Sequence, residues 1–464
     1  MKMPKFLEKD VPCLAMDLPE EVKKYKDVYD FDGEIVAIDA LLEKLDPDTD
    51  EAKRLVFERI IAEGLKNDYH IDEDMLLEKI QEKYPKCTKE TLKTLTKMNY
   101  ADHIVKNGKI YYQNDVKRNL FGAGKIFLES LDDEGNIQAY EPHPDKFRNA
   151  EFLLLKEQGL RAFRFTVKVK LAIKPEFARV GEEITVHIPY PAICDCQPYS
   201  ELVDSSHPVY ISEAGHRTAC IKTVLAENEE FYVTFKFDRI VRYIELDDEK
   251  VSKEQPSFYT DELLPHIRFT PYMVDLANKI KGDETNPLKI ARKVYTYITE
   301  NINYSLLRDY LFIDNIPEYV LKNGKGDCGA QALTFITLCR ILKVPARWES
   351  GLRVGPEINS IHDWAQIYVA PYGWIPVDLT DGGGARRNLD TLKREYSFGN
   401  IDPYRMTACN DYQMPFDPPK KFMRIDPYDN QLGEAEYNDF GLGVGTMIRG
   451  KDIISIEEVS ELYR

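Results

Sequence analysis

The chain has 464 residues, of which 43% are hydrophobic and 30% charged, a balance typical of a globular protein with several domains. Its formal net charge of −17 argues against a nucleic-acid partner or an anionic membrane surface, because both require a basic surface. No apolar run reaches the roughly 18 residues that a membrane-spanning helix needs.

The N-terminal stretch "MKMPKFLEKDVPCLAMDLPEE" contains positive charges but no continuous apolar segment of the kind found in signal peptides. We therefore expect a cytoplasmic location, with export through a leader missing from this sequence as the alternative. Eight cysteines are scattered along the chain, and in a reducing compartment they are expected to be free thiols.

Residues 1–148 are predicted to form a mainly helical domain. "TDEAKRLVFERIIAEGLKN" and "DEDMLLEKIQEKYP" place apolar residues at near-helical spacing, and "GKIYYQ" is typical of a short strand. Two helices followed by a short strand faintly resemble a winged helix. The acidic helices argue against DNA reading, so we interpret this region as a packing or partner-binding module.

Residues 149–255 change to a two-residue period. "RAFRFTVKVKLAI", "EEITVHIPYP" and "FYVTFKFDRIVRYIEL" alternate apolar and polar side chains, with turn signals between them. Several such runs predict an antiparallel β-sandwich whose sheets each keep one solvated face.

Residues 256–464 are predicted to form an α+β domain. Helical patterns over "TPYMVDLANKIKG" and "NPLKIARKVYTYITENINY" come first, and three strand-like segments follow, "PARWESGLRV", "HDWAQIYVAP" and "WIPVDLT". The Gly-rich "DGGGARRN" is expected to be a mobile loop. The Pro- and Tyr-rich remainder is expected to be an extended tail that wraps this domain.

Cys194 and Cys196 are the only cysteines close together in sequence, in "PAICDCQPY". Nearby His187, His207 and His216 make a metal site one interpretation. The C-x-C spacing is not that of a zinc knuckle and no second cysteine pair follows, so we favour ordinary strand or turn residues and predict no metal.

Cys328 follows the turn "KNGKGD" and precedes the strongly apolar run "AQALTFITLCRIL". Such a run predicts a helix buried on most sides, with Cys328 in its first turn. A helix N-terminus stabilises a thiolate and lowers the thiol pKa. Taken alone, a buried packing thiol is the better interpretation of Cys328, as it is for Cys339 on the same helix.

Two further residues favour a catalytic interpretation of Cys328. His362 opens the strand-like "HDWAQIYV", and Asp378 ends "WIPVDLT". The connection "APYG" is typical of a hairpin, which would bring the start of one strand next to the end of the other. A Cys–His–Asp triad is a chemically competent arrangement, in which the histidine activates the thiol and the carboxylate orients the histidine.

These motifs together resemble the transglutaminase-like superfamily of cysteine enzymes. The resemblance covers about residues 265–385 and includes "GDCG", "VPAR", "HDWAQIYV" and "GWIPVDLT" in the family's order. It implies a transglutaminase-like, cysteine-proteinase-like core with Cys328 as nucleophile, His362 as general base and acid, and Asp378 as the orienting carboxylate. The sequence departs from the family's usual pattern after the histidine, at Asp363, and after the aspartate, at Leu379.

Other site residues follow from this interpretation. The backbone N–H of Cys328 and the hydroxyl of Tyr304 are the candidate oxyanion donors. Trp348, Asp363 and Arg386 are candidate residues of the substrate cleft, with Trp348 equally compatible with the core. Trp364 and Trp374 are expected to be core residues behind the hairpin.

The expected activity is acyl transfer from an amide through a thioester, with a peptide or protein as substrate and no cofactor. For a bacterial-type chain without calcium-site signals, hydrolysis by a peptidase or deamidase is favoured. Glutamine–amine crosslinking and a non-catalytic binding scaffold are the alternatives. The sequence does not choose among oligomeric states.

Overall fold

The fold is α+β, with four antiparallel sheets, one two-stranded parallel sheet and fourteen α-helices in the described part of the chain. The structure is a computed structural model that describes residues 7–213, 215, 217–424, 431, 433–443 and 445–464. Within those ranges, each helix is too short or too polar to traverse a lipid bilayer.

The N-terminal region is mainly helical and includes one small sheet. Several of its helices begin at side-chain caps: Thr49 accepts the Ala52 N–H and Thr88 accepts the Thr91 N–H, backbone groups that would otherwise be unpaired. The elements are α1 Glu20–Lys26, α2 Phe31–Leu42, α3 Asp50–Asp68, β1 Tyr69–Ile71, α4 Glu73–Gln81, α5 Lys89–Lys97, β2 His103–Lys106, β3 Lys109–Gln113, α6 Val116–Phe121, α7 Lys125–Glu129 and α8 Lys146–Gln158. The sheet has the order β1-β3-β2, and "GKIYYQ" forms the central strand.

The middle region forms two facing antiparallel sheets. Its strands are β4 Leu160–Ile173, β5 Glu183–Pro189, β6 Tyr199–Ser205, β7 Tyr210–Ile211, β8 Thr218–Val224 and β9 Glu230–Arg242. Alternate residues of β4, such as Phe165 and Val167, are fully buried and pack in one cluster with Val186 and Ile221 of the facing sheet. The alternation in "RAFRFTVKVKLAI" therefore marks the inner face of a sandwich.

The C-terminal segment supplies strands to this sandwich, which differs from the extended tail expected around the core. These strands are β16 Glu434–Tyr437, β17 Phe440–Gly441 and β18 Met447–Glu458. The sheet orders are β18-β4-β9-β6 and β17-β16-β5-β8-β7, so the C-terminal strands lie beside β4 and β5. Buried apolar side chains such as Ala435 and Tyr437 explain the placement, because they complete the sandwich core.

The third region places a four-stranded antiparallel sheet against a buried helix. Its elements are α9 Pro271–Lys281, α10 Pro287–Asn301, β10 Asn303–Tyr304, α11 Ile316–Asn323, β11 Lys325–Gly326, α12 Cys328–Ile341, β12 Ala346–Val354, β13 Asn359–Val369, β14 Gly373–Val377, α13 Leu379–Arg387, α14 Thr391–Tyr396 and β15 Arg405–Cys409. The sheet order is β14-β13-β12-β15, and the expected β13–β14 hairpin is present. The central helix α12 is buried from Gly329 to Arg340, as its apolar sequence predicts.

Two elements differ from the sequence-based expectations. Helix α8 runs through the expected domain boundary at residue 148, and the sandwich begins with β4. The segment "DGGGARRN" is not a loop, because most of it lies in α13. A Cβ at Gly382 would lie 2.0 Å from the Tyr295 hydroxyl, so glycine permits α13 to pack closely on α10.

The close packing of β12 against β15 can be tested by a substitution at Gly351. A Cβ on Gly351 would lie 1.9 Å from the Met406 carbonyl oxygen, a backbone atom that cannot rotate away. We predict that Gly351→Ala lowers the free energy of unfolding by about 3 kcal/mol, a typical overpacking cost, in chemical denaturation.

The control is Gly450→Ala in β18, where the nearest atom to a new Cβ is a flexible Lys170 side-chain carbon at 3.7 Å. This variant should leave stability within about 0.5 kcal/mol of the parent. Equal stability of the two variants would contradict the close approach of β12 and β15.

Candidate active site

Cys328 is the first residue of α12. The carboxylate of Asp327, the N-cap, accepts the Ala330 N–H at 3.1 Å and a hydrogen bond from the Tyr310 hydroxyl. As a first-turn residue, Cys328 has a backbone N–H without an acceptor inside the helix. The expected position at the start of a buried helix is therefore confirmed.

The Cys328 thiol donates to Oδ2 of Asp363, with a sulfur–oxygen distance of 3.3 Å. Burial, together with the negative charges of Asp363 and Asp327, raises the pKa of Cys328 well above its usual value. The expectation that the helix N-terminus would lower this pKa is wrong. A helix N-terminus stabilises a nearby negative charge by about 0.3–1 kcal/mol. Burial and two neighbouring carboxylates destabilise the thiolate by more than this amount.

His362 and Asp378 meet on neighbouring strands. His362 lies in β13, and Asp378 directly follows β14 and caps α13. His362 Nε2 is 2.7 Å from Asp378 Oδ2, while Asp378 Oδ1 accepts the Asp381 N–H at 2.9 Å. The cap fixes the carboxylate, and the carboxylate in turn orients the imidazole. In the tautomer that donates its Nε2 proton to Asp378, His362 Nδ1 carries a lone pair that can accept a proton.

Two buried arginines surround this pair. Arg353 Nη2 lies 2.8 Å from His362 Nε2 and donates to Asp381 Oδ2 at 2.6 Å. Arg405 donates to Asp378 Oδ2 at 2.7 Å and to Asp402 Oδ2 at 2.8 Å. Each charge is therefore paired more than once, which is the condition under which buried ions are tolerated.

These charges set the protonation of His362. Burial, together with the positive charge of Arg353, lowers the pKa of His362 to about 4, although Asp378 acts in the opposite direction. The pKa of Asp378 is lowered despite its burial, because His362 and Arg405 favour its ionised form. At neutral pH the site thus holds a neutral thiol, a neutral imidazole and an ionised Asp378.

His362, Asp378 and Asp381 bring one nitrogen and two carboxylates within 4.8 Å of one another, a spacing compatible with metal ligation. The same carboxylate oxygens accept from Arg353 and Arg405. Two guanidinium groups at the would-be ligands repel a cation, so an ion-pair network accounts for this cluster better than a metal site.

Cys328 and His362 line one cavity of about 650 Å³. Tyr304, Asp363 and Gln431 are also part of its wall. The described hydrogen bonds do not include one between the Cys328 sulfur and His362, so the two groups share a cavity without a direct bond. The pKa of Tyr304 is raised by burial and by nearby Cys328, which keeps its hydroxyl protonated and able to donate.

The N-terminal region forms part of the same wall through Gln113, Asp115 and Arg118. Asn119 fixes this contact because its amide donates to the Leu306 carbonyl and accepts from the Leu306 N–H, both at 2.7 Å. A region whose role the sequence leaves open therefore contributes to the cleft. The short turn between β3 and α6 gives no sequence signal of that contact.

Trp348 and Arg386, two of the predicted cleft residues, are not among the described residues that line the cavity. Trp348 is fully buried in the core, and its ring packs beneath Gly329 at the start of α12. Arg386 lies in the last turn of α13. Trp364 is also a core residue, and its ring stacks against His362 at a centroid distance of 6.0 Å.

Gln431 was missed by sequence reasoning. Its side-chain amide donates to the His362 carbonyl at 2.5 Å and to Asp363 Oδ1 at 2.6 Å. It thereby holds the His362–Asp363 backbone and turns the other Asp363 oxygen towards Cys328. Gln431 lies far from the motifs in sequence, and nothing in its neighbourhood indicates the contact.

Comparison with known families agrees with this geometry. Residues 274–379 match the family model of the transglutaminase-like superfamily. The matched segment contains Cys328, His362 and Asp378, so the transglutaminase-like core lies in this part of the chain. The resemblance inferred from the sequence is confirmed over these residues.

Two curated proteins are similar to shorter parts of the chain. An uncharacterized protein of Haemophilus influenzae is 30% identical over 171 residues, covering 29% of this chain and 45% of that protein. The uncharacterized protein YebA of Bacillus subtilis is 23% identical over 130 residues, covering 25% of this chain and 17% of YebA. The chain thus spans less than half the length of each relative.

Solved structures show partial likeness. A candidate cysteine protease of Cytophaga hutchinsonii has a TM-score of 0.41 at 16% identity, covering 64% of this chain and 91% of that one. The periplasmic domain of TgpA from Pseudomonas aeruginosa has a TM-score of 0.29 at 12% identity, covering 56% of this chain and 99% of that one.

The low pKa of His362 has a consequence for stability. The folded-state pKa of about 4 lies below the reference value of 6.5, so the unfolded chain binds more protons between these values. Stability should therefore fall as the pH falls from about 6.5 to 4, by about 3 kcal/mol from this residue. We predict that His362→Gln removes that part of the pH dependence in urea unfolding measured across this window.

Buried His187 and His266, whose pKa values are lowered to about 3, supply an internal comparison because their contributions should remain in the variant. An unchanged slope in His362→Gln would contradict a buried, neutral His362.

The carboxylate of Asp363 is predicted to suppress the reactivity of Cys328. Asp363→Asn keeps the side-chain size but removes a charge that raises the thiol pKa. Each unit of decrease in pKa increases the thiolate fraction about tenfold, so alkylation of Cys328 by iodoacetamide at pH 8 should be faster by up to that factor. Peptide mapping measures the rate at this site.

Asp309→Asn is the matched control, since Asp309 also lines the cavity while its carboxylate accepts the Leu311 N–H. It should leave the Cys328 rate within about twofold of the parent. Equal acceleration in both variants would point to general opening of the cavity and not to the Asp363 charge.

Proposed function

We propose that the protein is a cysteine-dependent acyl-transfer enzyme that hydrolyses a peptide or amide bond through a thioester intermediate. The observation that carries the proposal is the cavity that Cys328 and His362 share, with His362 bonded to Asp378 behind it, within a segment that matches a family of this type. Cys328 acts as nucleophile, His362 as general base and acid, and Asp378 as the group that orients and stabilises the imidazole.

The first step forms the thioester. The Cys328 thiol leaves its hydrogen bond with Asp363, transfers its proton to His362 Nδ1, and the sulfur attacks the substrate carbonyl carbon. Because the resting thiol pKa is high and the histidine pKa low, proton transfer accompanies attack instead of preceding it. His362 then gives the proton to the leaving amine as the carbon–nitrogen bond breaks.

The second step releases the acid. Water loses a proton to His362 as its oxygen attacks the thioester, and the Cys328 sulfur leaves with the returned proton. Asp378 stays ionised throughout and stabilises the transient imidazolium. Arg353 and Arg405 hold the Asp378 carboxylate in place.

The tetrahedral intermediates carry a negative oxygen that requires donors. The Cys328 N–H at the start of α12 is one, since no acceptor inside the helix uses it. The Tyr304 hydroxyl is the second, because it lines the cavity and interacts electrostatically with Cys328. The sheet position of Tyr304 in β10, paired with β11 just before Cys328, supports this assignment.

Peptide or protein substrates fit the dimensions of the site. A cavity of about 650 Å³ lies within the range of ligand pockets, large enough to surround several substrate atoms beyond the scissile bond. Acidic and basic side chains both occur in the wall, among them Asp115, Arg118 and Arg308, which suit a polar polyamide better than an apolar ligand.

The decisive test uses a peptide library with free and blocked termini, first without and then with an added primary amine. We expect cleavage products in mass spectra, and after acid quench an acyl adduct on Cys328. Cys328→Ala should abolish both, because no other group supplies the nucleophile. His362→Gln should lower the rate by at least about a hundredfold, the usual contribution of a general base.

Cys339→Ala is the matched control on the same helix, since Cys339 is buried and serves only packing. It should retain activity per folded molecule. Products that contain the added amine would show transfer in place of hydrolysis, while binding without any covalent change would favour the scaffold alternative. Cleavage that persists in Cys328→Ala would refute the proposed nucleophile.

A further inference from the structure

Cys194 and Cys196 lie side by side in the turn between β5 and β6. Their sulfur atoms are 3.5 Å apart. The turn is closed by two reciprocal backbone hydrogen bonds, Cys194 N–H to the Gln197 carbonyl at 3.1 Å and Gln197 N–H to the Cys194 carbonyl at 2.8 Å. A disulfide bond is about 2.0 Å long, so a small movement of the side chains would join the two sulfurs.

The turn is fixed to the sheet that carries the candidate active site. The Gln197 side chain donates to the carbonyls of Ala192 and Thr407, at 2.6 and 2.8 Å, and accepts the Thr407 N–H at 3.0 Å. Thr407 belongs to β15. The two thiols are therefore held together by a rigid support and not by chance proximity in a mobile loop.

Cys196 lies between a buried guanidinium and a buried carboxylate, with Arg239 Nη1 nearer to its sulfur, at 3.0 Å, than Glu349 Oε1, at 4.0 Å. Arg239 from β9 is almost completely buried, and its Nη1 donates to the Cys196 sulfur at 3.0 Å. The hydrogen bond from Cys194, helped by the charge of Arg239, lowers the pKa of Cys196 despite its burial and the nearby Glu349. The same bond raises the pKa of Cys194. Of the two sulfurs, Cys196 therefore loses its proton more readily than Cys194.

We propose that Cys194 and Cys196 form a redox-active dithiol that hydrogen peroxide oxidises to a reversible disulfide. The Cys196 thiolate attacks one peroxide oxygen, the O–O bond breaks, and hydroxide leaves to give a sulfenic acid on Cys196. The Cys194 sulfur then attacks the Cys196 sulfur, its proton is taken up by the departing hydroxyl, and water leaves. Two thiols and one peroxide yield one disulfide and two waters.

Oxidation leaves the buried arginine paired, which makes the step tolerable for the fold. Arg239 Nη1 also donates to Thr407 Oγ1 at 2.8 Å and lies 3.5 Å from Glu349 Oε1. When Cys196 loses its negative charge, Arg239 retains these partners and no isolated charge is created. Reduction restores the original arrangement.

A metal site explains the arrangement of Cys194 and Cys196 less well than a redox-active dithiol does. Arg239 already occupies the accepting side of Cys196, and its charge opposes a cation. His187 contacts Thr218 and Cys220, and His207 pairs with Glu229, so neither is directed to Cys194 or Cys196. His216, the third histidine considered from the sequence, lies outside the described residues.

The 464-residue chain is reduced, freed of metal by a chelator and treated with hydrogen peroxide. Trypsin cleavage after Arg179 and Arg217 gives the peptide 180–217, in which Cys194 and Cys196 are the only cysteines. Mass spectrometry without reduction should show loss of two hydrogen atoms from this peptide, reversed by dithiothreitol. Cys13 and Cys87, whose pKa values are raised to about 11 by burial, should remain unmodified in the same sample.

Single variants assign the roles of the two sulfurs. Cys194→Ser should stop at a sulfenic acid on Cys196, trapped by dimedone, while Cys196→Ser should react at least about tenfold more slowly, in line with a smaller thiolate fraction. Absence of the disulfide, oxidation of Cys13 at the same rate, or a stoichiometric zinc ion retained by the pair would each overturn the proposal. None of these outcomes depends on whether Cys328 is catalytic.

Discussion

The arrangement of the candidate site depends on a buried network of carboxylates and guanidinium groups. Asp378 divides its two oxygens between separate tasks, since Oδ1 caps α13 and Oδ2 binds His362, Arg353 and Arg405. Removing one member of a buried ion pair costs about 3–5 kcal/mol because a charge is left without a partner. The network therefore fixes the imidazole much more firmly than one hydrogen bond would.

This network joins elements that are distant in sequence. Arg353 comes from β12, Arg405 from β15, and Arg148 of α8 reaches Asp381 at 3.5 Å. Lys451, from the C-terminal strand β18, donates to the carbonyls of Arg353 and Ser360 at 3.0 and 2.6 Å. The sandwich and the helical region thus support the transglutaminase-like core directly, and the site is complete only when these regions are folded together.

Sequence reasoning located the parts of the site that depend on local pattern. The start of α12 at Cys328 follows from an apolar run behind a Gly-rich turn, and the β13–β14 hairpin follows from two short strands joined by a turn. Arg353, Arg405 and Gln431 could not be found this way, because their contacts are made through long-range pairing. The α13 segment was predicted as a loop because three consecutive glycines normally disfavour a helix. Close packing on Tyr295 outweighs that preference at Gly382.

The pKa shift of the Cys328 thiol has the opposite direction to the one that the helix start predicts. A sequence shows the helix start, whose field is a small favourable term for a thiolate, but it does not show burial or the turn of Asp363 towards the sulfur. Those two terms dominate and keep the thiol neutral. The imidazole of His362 is also neutral, so the cleft contains no thiolate–imidazolium pair in this conformation. In the proposed mechanism, the thiolate forms only when the Cys328 thiol leaves its hydrogen bond with Asp363. The resting state and the reactive state therefore differ in the direction in which the thiol points.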